Sequence, residues 1–438
     1  MTVWLGLMFL TLMFMLLLGY PVAFTLGAVA FLFGSIFLGV DFFSLLPLQI
    51  WGVMTNFTLL AVPLFILMGI ILDKSGLAED LLETMGQLFG RVRGGLAISV
   101  VLVGALLAAT TGVVGATVVT MGVIALPTML KRSYSPQLAT GTIAAAGTLG
   151  QIIPPSIILI LLGDVIGVPV GRLFIGAVIP GIILISLFLI YIAFIAWLKP
   201  EVGPALTIEA KDGSMVGKVI ITLLPPLLLV LGVLGSIFFG IASPTESAAI
   251  GAIGAILLSA VHRRLTLKKL QEAMEQTTRL TSMVFLILIG ATAFGLVFRG
   301  MGGASIVRDL MLNLPGGEWG FLAVSMGLIF SLGFFLDFLQ ICFIVVPILQ
   351  PIAQELNIDL LWLAVLIGIN LQTSFLTPPF GFSLFYLKAV APAEITINHI
   401  YRGILPFVII QIIVIILLLI FPQTVLWLPN LMDKWHGL

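Results

Sequence analysis

Apolar runs of membrane-spanning length follow one another along almost the whole chain. They are parted by breaks as short as Gly19-Tyr20-Pro21, Val40-Asp41, Asp73-Lys74-Ser75-Gly76 and Lys131-Arg132-Ser133-Tyr134. A helix crosses a bilayer with about 20 apolar residues, and within hydrocarbon every backbone amide and carbonyl must find its partner inside the protein. The pattern therefore admits an all-α polytopic membrane protein and excludes a soluble domain. Composition agrees: 9% of the 438 residues are charged, against roughly 25% in a soluble domain. The first run, residues 3–18, has no basic leader and no small-residue cleavage site, so it reads as a span rather than a removed signal peptide.

Several function classes drop out on composition. With 19 basic and 19 acidic residues the net charge is zero, which leaves no basic surface for nucleic acid. One cysteine, Cys342, excludes a disulfide framework or a thiolate cluster, and His262, His399 and His436 lie far apart beside charged loops. The apolar spans offer neither a histidine cluster nor paired carboxylates, so an intramembrane enzyme is not expected. No phosphate loop of the Walker type occurs, which rules out ATP hydrolysis by this chain.

A polar stretch, residues 199–218, separates two halves, 1–198 and 219–438, that can be laid on each other. Pro127 falls on Pro351 and Pro154-Pro155 on Pro378-Pro379 at one shared offset, with Pro21 on Pro244 and Pro180 on Pro406 within two residues of it. Each proline inside an apolar segment removes a backbone hydrogen bond, so shared proline spacing indicates duplication. Equivalent loops carry opposite charge: Lys131-Arg132 matches the acidic stretch from Glu355 to Asp359, and the basic run from His262 to Lys269 matches the loop at Asp41. Under the positive-inside rule the halves then lie inverted in the membrane, with both termini outside and the linker inside. Of the 19 Lys and Arg, four fall outside: Arg172, Arg299, Arg308 and Lys434. Inverted repeats of this kind mark secondary transporters, whose sites lie where helices break near the midplane.

Residues 95–130 are bounded by Arg91 and Arg93 at one end and Lys131 and Arg132 at the other. A segment with both ends cytoplasmic must fold back, and the polar patch from Ala108 to Thr117 is its natural tip. The equivalent hairpin, residues 319–351, turns near Gly333-Phe334-Phe335-Leu336-Asp337. After each hairpin comes a span, 137–167 or 361–390, interrupted by a proline pair. The helix opens there, freeing carbonyls for a cation and presenting the amides of the following half-helix to an anion.

Individual residues leave two readings open. Asp337, an acid at a hairpin tip, is a functional candidate at membrane depth or a helix cap. Thr110 and Thr111 are ion ligands or bonds to their own helix. Asp164 belongs to a site or to a loop. Ser243-Pro244-Thr245-Glu246 has the pattern of a helix start. Two amphipathic stretches, one with Glu79, Asp80, Glu83 and Arg91 and one with Lys268, Lys269, Glu272, Glu275 and Arg279, read as interfacial arm helices or as polar loops.

Taken together these motifs resemble the large membrane subunit, the DctM-like permease, of the tripartite ATP-independent periplasmic (TRAP) transporters. The resemblance covers essentially the whole chain. It is carried by the run from Gly240 to Ala249 with Ser243-Pro244-Thr245-Glu246, by Gly147-Thr148-Leu149-Gly150 leading into Ile153-Pro154-Pro155-Ser156, and by Phe335-Leu336-Asp337. Leu376-Thr377-Pro378-Pro379-Phe380-Gly381 and the closing Phe421-Pro422-Gln423 to Leu428-Pro429 complete it. The first tip departs from the serine-rich pattern of many relatives but keeps hydroxyls at Thr110 and Thr111.

The resemblance implies an elevator-type, sodium-driven importer of organic acids in the bacterial inner membrane. Its partners would be a small four-helix membrane subunit (DctQ-like) and a periplasmic substrate-binding protein (DctP-like), both expected as separate chains. Carried over by position, one Na+ site would use Thr111, Gly150, Ile153 and Pro155. The second would use Gly333, Asp337, Ser374 and Thr377. A carboxylate substrate would lie between the tips near Gly112, Thr117, Thr148, Ser156 and Asn370. The alternative is a stand-alone ion-coupled carboxylate transporter of the divalent-anion/sodium symporter type, separated from the first reading by whether genes for the two partners adjoin this one.

Overall fold

The computed structural model describes residues 2–111, 114–205, 215–379 and 381–436, and every regular element among them is helical. The first half runs α1 (Thr2–Leu17), α2 (Val22–Phe37), α3 (Leu46–Met54), α4 (Ala61–Lys74), α5 (Leu77–Phe89), α6 (Gly95–Thr111), α7 (Val114–Lys131), α8 (Pro136–Thr148), α9 (Ile157–Ile166) and α10 (Val170–Leu198). The second half runs α11 (Met215–Phe238), α12 (Pro244–Val261), α13 (Leu267–Gly300), α14 (Gly303–Leu312), α15 (Glu318–Leu332), α16 (Phe338–Gln340), α17 (Val346–Glu355), α18 (Leu360–Leu376), α19 (Phe382–Val390), α20 (Ile397–Ile420) and α21 (Gln423–His436). Among the described residues, seven helices are long and apolar enough to cross a membrane, or eight when the bent pair formed by 40–54 and 58–74 is taken as one span. The chain is a polytopic membrane protein.

An offset of 224 residues carries α7 onto 338–355, the stretch built by α16, a π-helical turn at Ile341–Val345, and α17. The same offset superposes α8 on the start of α18, α9 on α19 and the interior of α10 on α20. Pro127 and Pro351 both sit inside the returning arm of a hairpin, and Pro180 and Pro406 both sit inside the long helix that follows each broken span.

Two groups of helices build the body. In one, α4 packs on α12 and α13, and α13 packs on α2. In the other the halves interlock: α7, the returning arm of the first hairpin, lies on α19 of the second half, while α17 lies on α9 of the first. Between apolar helices in lipid, close van der Waals contact replaces the hydrophobic drive. At the α8–α20 crossing a Cβ on Gly141 would overlap the carbonyl of Gly403, and one on Gly403 the carbonyl of Gln137. The helix start at Ser243 takes the form its sequence indicates, a capping box in which Ser243 accepts from the Glu246 amide and Glu246 accepts from the Ser243 amide at 2.7 Å.

The two amphipathic stretches differ from each other. Leu77–Phe89 is a separate helix that ends before Arg91. Residues 267–279 are instead the first turns of the continuous 34-residue α13. At 1.5 Å per residue that helix is about 51 Å long, well beyond a hydrocarbon core of about 30 Å, so its charged start projects out of the bilayer as an extension of a span. The repeat-related segment of the first half bends by 57° at residues 55–57, near Asn56. Lys74 of α4 pairs with Glu272 at 3.1 Å, and Arg264 pairs with Asp80 at 2.8 Å, tying both charged starts to α4 and α5.

Candidate functional site

Both halves break their span in the same way. α8 tightens into a 3-10 turn at Leu149–Gln151 and stops at Pro154-Pro155, and α9 restarts at Ile157. α18 ends at Leu376, Pro378-Pro379 follows, and α19 restarts at Phe382. Both proline pairs are joined by a cis peptide. Proline donates no amide and disfavours helix in the residue before it, so the carbonyls upstream lose their partners. One in each half is repaired by a serine beyond the break. Ser156 Oγ donates to the Gln151 carbonyl at 2.9 Å, and Ser383 Oγ donates to the Phe375 carbonyl, also at 2.9 Å. Gln151 and Phe375 are repeat equivalents.

Neighbouring carbonyls stay open. Among the described residues, no donor reaches the carbonyls of Gly150, Ile152 and Ile153 in the first break, or of Leu376 and Thr377 in the second. An unpaired polar group away from water costs about 1–3 kcal/mol, a penalty that a cation or an ordered water offsets.

Each hairpin presses its tip on its own break. A Cβ on Gly150 would lie 3.3 Å from the Ala108 carbonyl in the last turns of α6. A Cβ on Gly333, at the end of α15, would overlap the Ser374 hydroxyl, so only glycine allows this approach. Gly150 and Ser374 are again equivalents. Ser374 Oγ donates to the Leu371 carbonyl at 2.8 Å and Thr377 Oγ1 to Thr373 at 2.7 Å. A hydroxyl that has donated its one proton keeps lone pairs for a metal ion.

Asp337 is half-buried at the second tip and caps α16, accepting from the Phe338 amide at 2.7 Å. No ion pair reaches it among the described residues. Capping uses Oδ1 and leaves the carboxylate charge uncompensated by any cationic side chain. Of the two sequence readings of this residue, the helix cap is the one the hydrogen bond shows.

The remaining predicted residues divide. Thr111 ends α6, and Gly112 lies outside the described residues. Thr117 is buried in the first turn of α7. Thr148 is fully buried, donates to Ala145 at 2.8 Å and accepts from Gln372 Nε2 at 3.4 Å. Ile153 and Pro155 stand in the first break. Ser156 and Asn370 are less available than their positions promised. The Ser156 proton is engaged on Gln151, and Asn370 Nδ2 donates to the Met326 carbonyl of α15 at 2.8 Å.

Sequence reasoning missed four participants. Gln372 was recoverable from Thr148 by the repeat offset, and Ser383 has no local signal. Tyr386 of α19 packs its ring where a Cβ on Gly115 would lie 3.2 Å away, beside the first tip. Gln151 is fully buried with both side-chain heteroatoms unpartnered among the described residues. Two polar contacts join the interlocked helices to the surrounding ones: Thr120 Oγ1 of α7 donates to Asp73 Oδ1 at 3.0 Å, and Asn56 Nδ2 donates to Asp164 Oδ1 at the end of α9. Asp164, ambiguous in sequence, is thus part of an interface between the two helix groups. Among the described residues no group of three or more His, Cys, Asp or Glu side chains could hold a metal.

Comparison with known proteins agrees with this architecture. Residues 9–424 match the family model described as the tripartite ATP-independent periplasmic transporter, DctM component. The C4-dicarboxylate TRAP transporter large permease protein DctM of Pseudomonas aeruginosa is 31% identical over 401 residues, covering 90% of each chain. The sialic acid TRAP transporter large permease protein SiaM of Vibrio cholerae is 30% identical over 431 residues, covering 98% of this chain and 97% of its own. Among solved structures, the YdaH transporter of Alcanivorax borkumensis, reported with an unusual topology, superposes with a TM-score of 0.65 over 98% of both chains at 13% identity. That likeness bears on the fold alone.

Proposed function

The chain belongs to the DctM family of large permease subunits of the tripartite ATP-independent periplasmic transporters, and from that membership we propose that it imports an organic acid across the bacterial inner membrane, driven by sodium. It is a transporter subunit and not an enzyme.

The observation that carries the sodium reading is the repeated break. In each half a hairpin end meets a residue four positions before a proline pair, at Ala108 with Gly150 and at Gly333 with Ser374, beside carbonyls that no donor reaches among the described residues. Oxygen-only surroundings of this kind suit a hard, weakly held monovalent ion rather than a transition metal. The first site is assigned to Thr111, Gly150, Ile153 and Pro155, and the second to Gly333, Asp337, Ser374 and Thr377. The carboxylate is assigned to the space between the tips near Gly112, Thr117 and Thr148, where the start of α9 supplies amides. Ser156 and Asn370 serve there by holding the break and α15 in position. Two relatives named for C4-dicarboxylate and sialic acid support an organic acid as cargo.

The helices that carry the hairpins would move against α2, α4, α12 and α13 in elevator fashion, with both termini outside. A small four-helix membrane subunit and a periplasmic substrate-binding protein complete the system. The test is uptake into proteoliposomes holding this chain and both partners. An inward sodium gradient is expected to drive accumulation of a labelled carboxylate presented on the binding protein. Uptake indifferent to the sodium gradient for every carboxylate that the binding protein accepts would overturn the reading.

A further inference from the structure

The two breaks are built alike, but the half-helix after each is held differently. Tyr401, near the start of α20, donates its Oη proton to the Pro379 carbonyl at 3.1 Å. Lys388, in the last turn of α19, donates from Nζ to the Ile395 carbonyl in the connection to α20. α19 is therefore tied near both its ends to the segment that follows it. By the offset that superposes the halves, Tyr401 falls on Ala177 of α10 and Lys388 on Asp164 of α9. Ala177 is buried and carries no side-chain donor. Asp164 accepts from Asn56, at the bend before α4, and so ties α9 to a different helix group. Among the described residues no donor reaches the carbonyl of Pro155, the counterpart of Pro379.

We propose that Tyr401 is a positioning residue for the second ion site, which makes the two breaks unequal in their hold on sodium. The proposal rests on the sodium reading above, in which Pro155 belongs to the first site and Thr377 to the second. The Pro379 oxygen, unlike its counterpart, is already paired. What Tyr401 supplies to the second site is order. Pro379 lies two residues beyond Thr377, whose Oγ1 is bonded to Thr373 and whose carbonyl no donor reaches among the described residues. The backbone there has left α18, and neither proline has an amide with which to fix it. Pinning the Pro379 carbonyl to a long neighbouring helix holds this stretch before the ion arrives. A ligand set held in advance escapes the ordering cost of binding. Tyr401 is half-buried and Pro379 exposed, so the bond has the net worth of an ordinary neutral one, about two- to tenfold in a binding constant.

The test is equilibrium binding of radioactive sodium to the full chain in phosphatidylcholine nanodiscs, with choline chloride holding the ionic strength constant. Tyr401→Phe removes the hydroxyl and keeps the ring. It is expected to raise the half-saturating sodium concentration of the second site by about two- to tenfold. A variant that merely folded less well would bind less sodium at an unchanged half-saturating concentration. Two backgrounds separate the sites. With Thr111→Val the titration reports the second site, and the effect of Tyr401→Phe should persist in full. With Thr377→Val it reports the first, and Tyr401→Phe should add nothing. An unchanged or tighter affinity in the Thr111→Val background, or an equal shift in both backgrounds, overturns the proposal and leaves the sodium reading standing. Absence of saturable sodium binding by the parent chain overturns both.

Discussion

Gln372 Nε2 donates to Thr148 Oγ1 at 3.4 Å, and the two residues are separated by 224 positions, the offset that superposes the two halves. This hydrogen bond joins α8 to α18, the helix in each half that leads into its break. Both side chains are fully buried, and Gln372 Oε1 has no partner among the described residues.

Breaking this contact from one side is expected to be worse than removing it altogether. Thr148→Val leaves the Gln372 amide unsatisfied and should lower stability by about 1–3 kcal/mol, whereas Thr148→Val with Gln372→Leu should recover most of the loss. Thermal unfolding of the purified chain, arranged as a double-mutant cycle, measures both. Additive losses would show that the long hydrogen bond contributes nothing.

Asp337 caps α16 and has no ion-pair partner among the described residues, and one substitution separates the cap from the proposed ion ligand. Asparagine is as good an N-cap as aspartate but is neutral. Asp337→Asn is expected to unfold within about 1 kcal/mol of the parent while sodium-driven uptake falls at least about tenfold. Unchanged uptake would reduce Asp337 to a cap.

Gly333→Ala puts a methyl group where the Ser374 hydroxyl already stands. Overpacking of this kind costs about 1–3 kcal/mol. Adding Ser374→Gly makes room, so the double variant should regain stability. Its sodium affinity should still be weaker than the parent's, because a hydroxyl proposed as a ligand is gone. Uptake measured against sodium concentration distinguishes the two effects.

Ser243→Ala removes the acceptor for the Glu246 amide at the start of α12. The expected cost is about 1 kcal/mol of stability, read as a lower unfolding temperature. Uptake per folded molecule should not change, since the capping box touches neither tip nor break. A loss of uptake at full folding would assign Ser243 a transport role.

Much of this arrangement could be read without coordinates, because each legible element is enforced locally. Paired prolines remove amides wherever they occur, so the openings after Thr148 and Leu376 were evident. Basic residues at both ends of residues 95–130 require a fold-back, and α6 and α7 pack against each other. The Ser-Pro-Thr-Glu helix start depends on four adjacent residues. The stretch containing Lys268 and Lys269 reads in sequence as an interfacial arm helix or a polar loop because its polarity differs from the span that follows. Backbone hydrogen bonding continues through such a change, and α13 runs unbroken for 34 residues.

The ordering of apolar runs, their duplication and the places where helices must open were set by the sequence itself, through the cost of unpaired backbone in lipid and the missing amide of proline. Which hydroxyls stay available was decided only in three dimensions. Ser156 is drawn onto Gln151, Asn370 onto Met326, and Gln372 onto Thr148. Hydrogen-bond partners distant along the chain compete for the same polar atoms, and packing selects the pairs that satisfy the most of them.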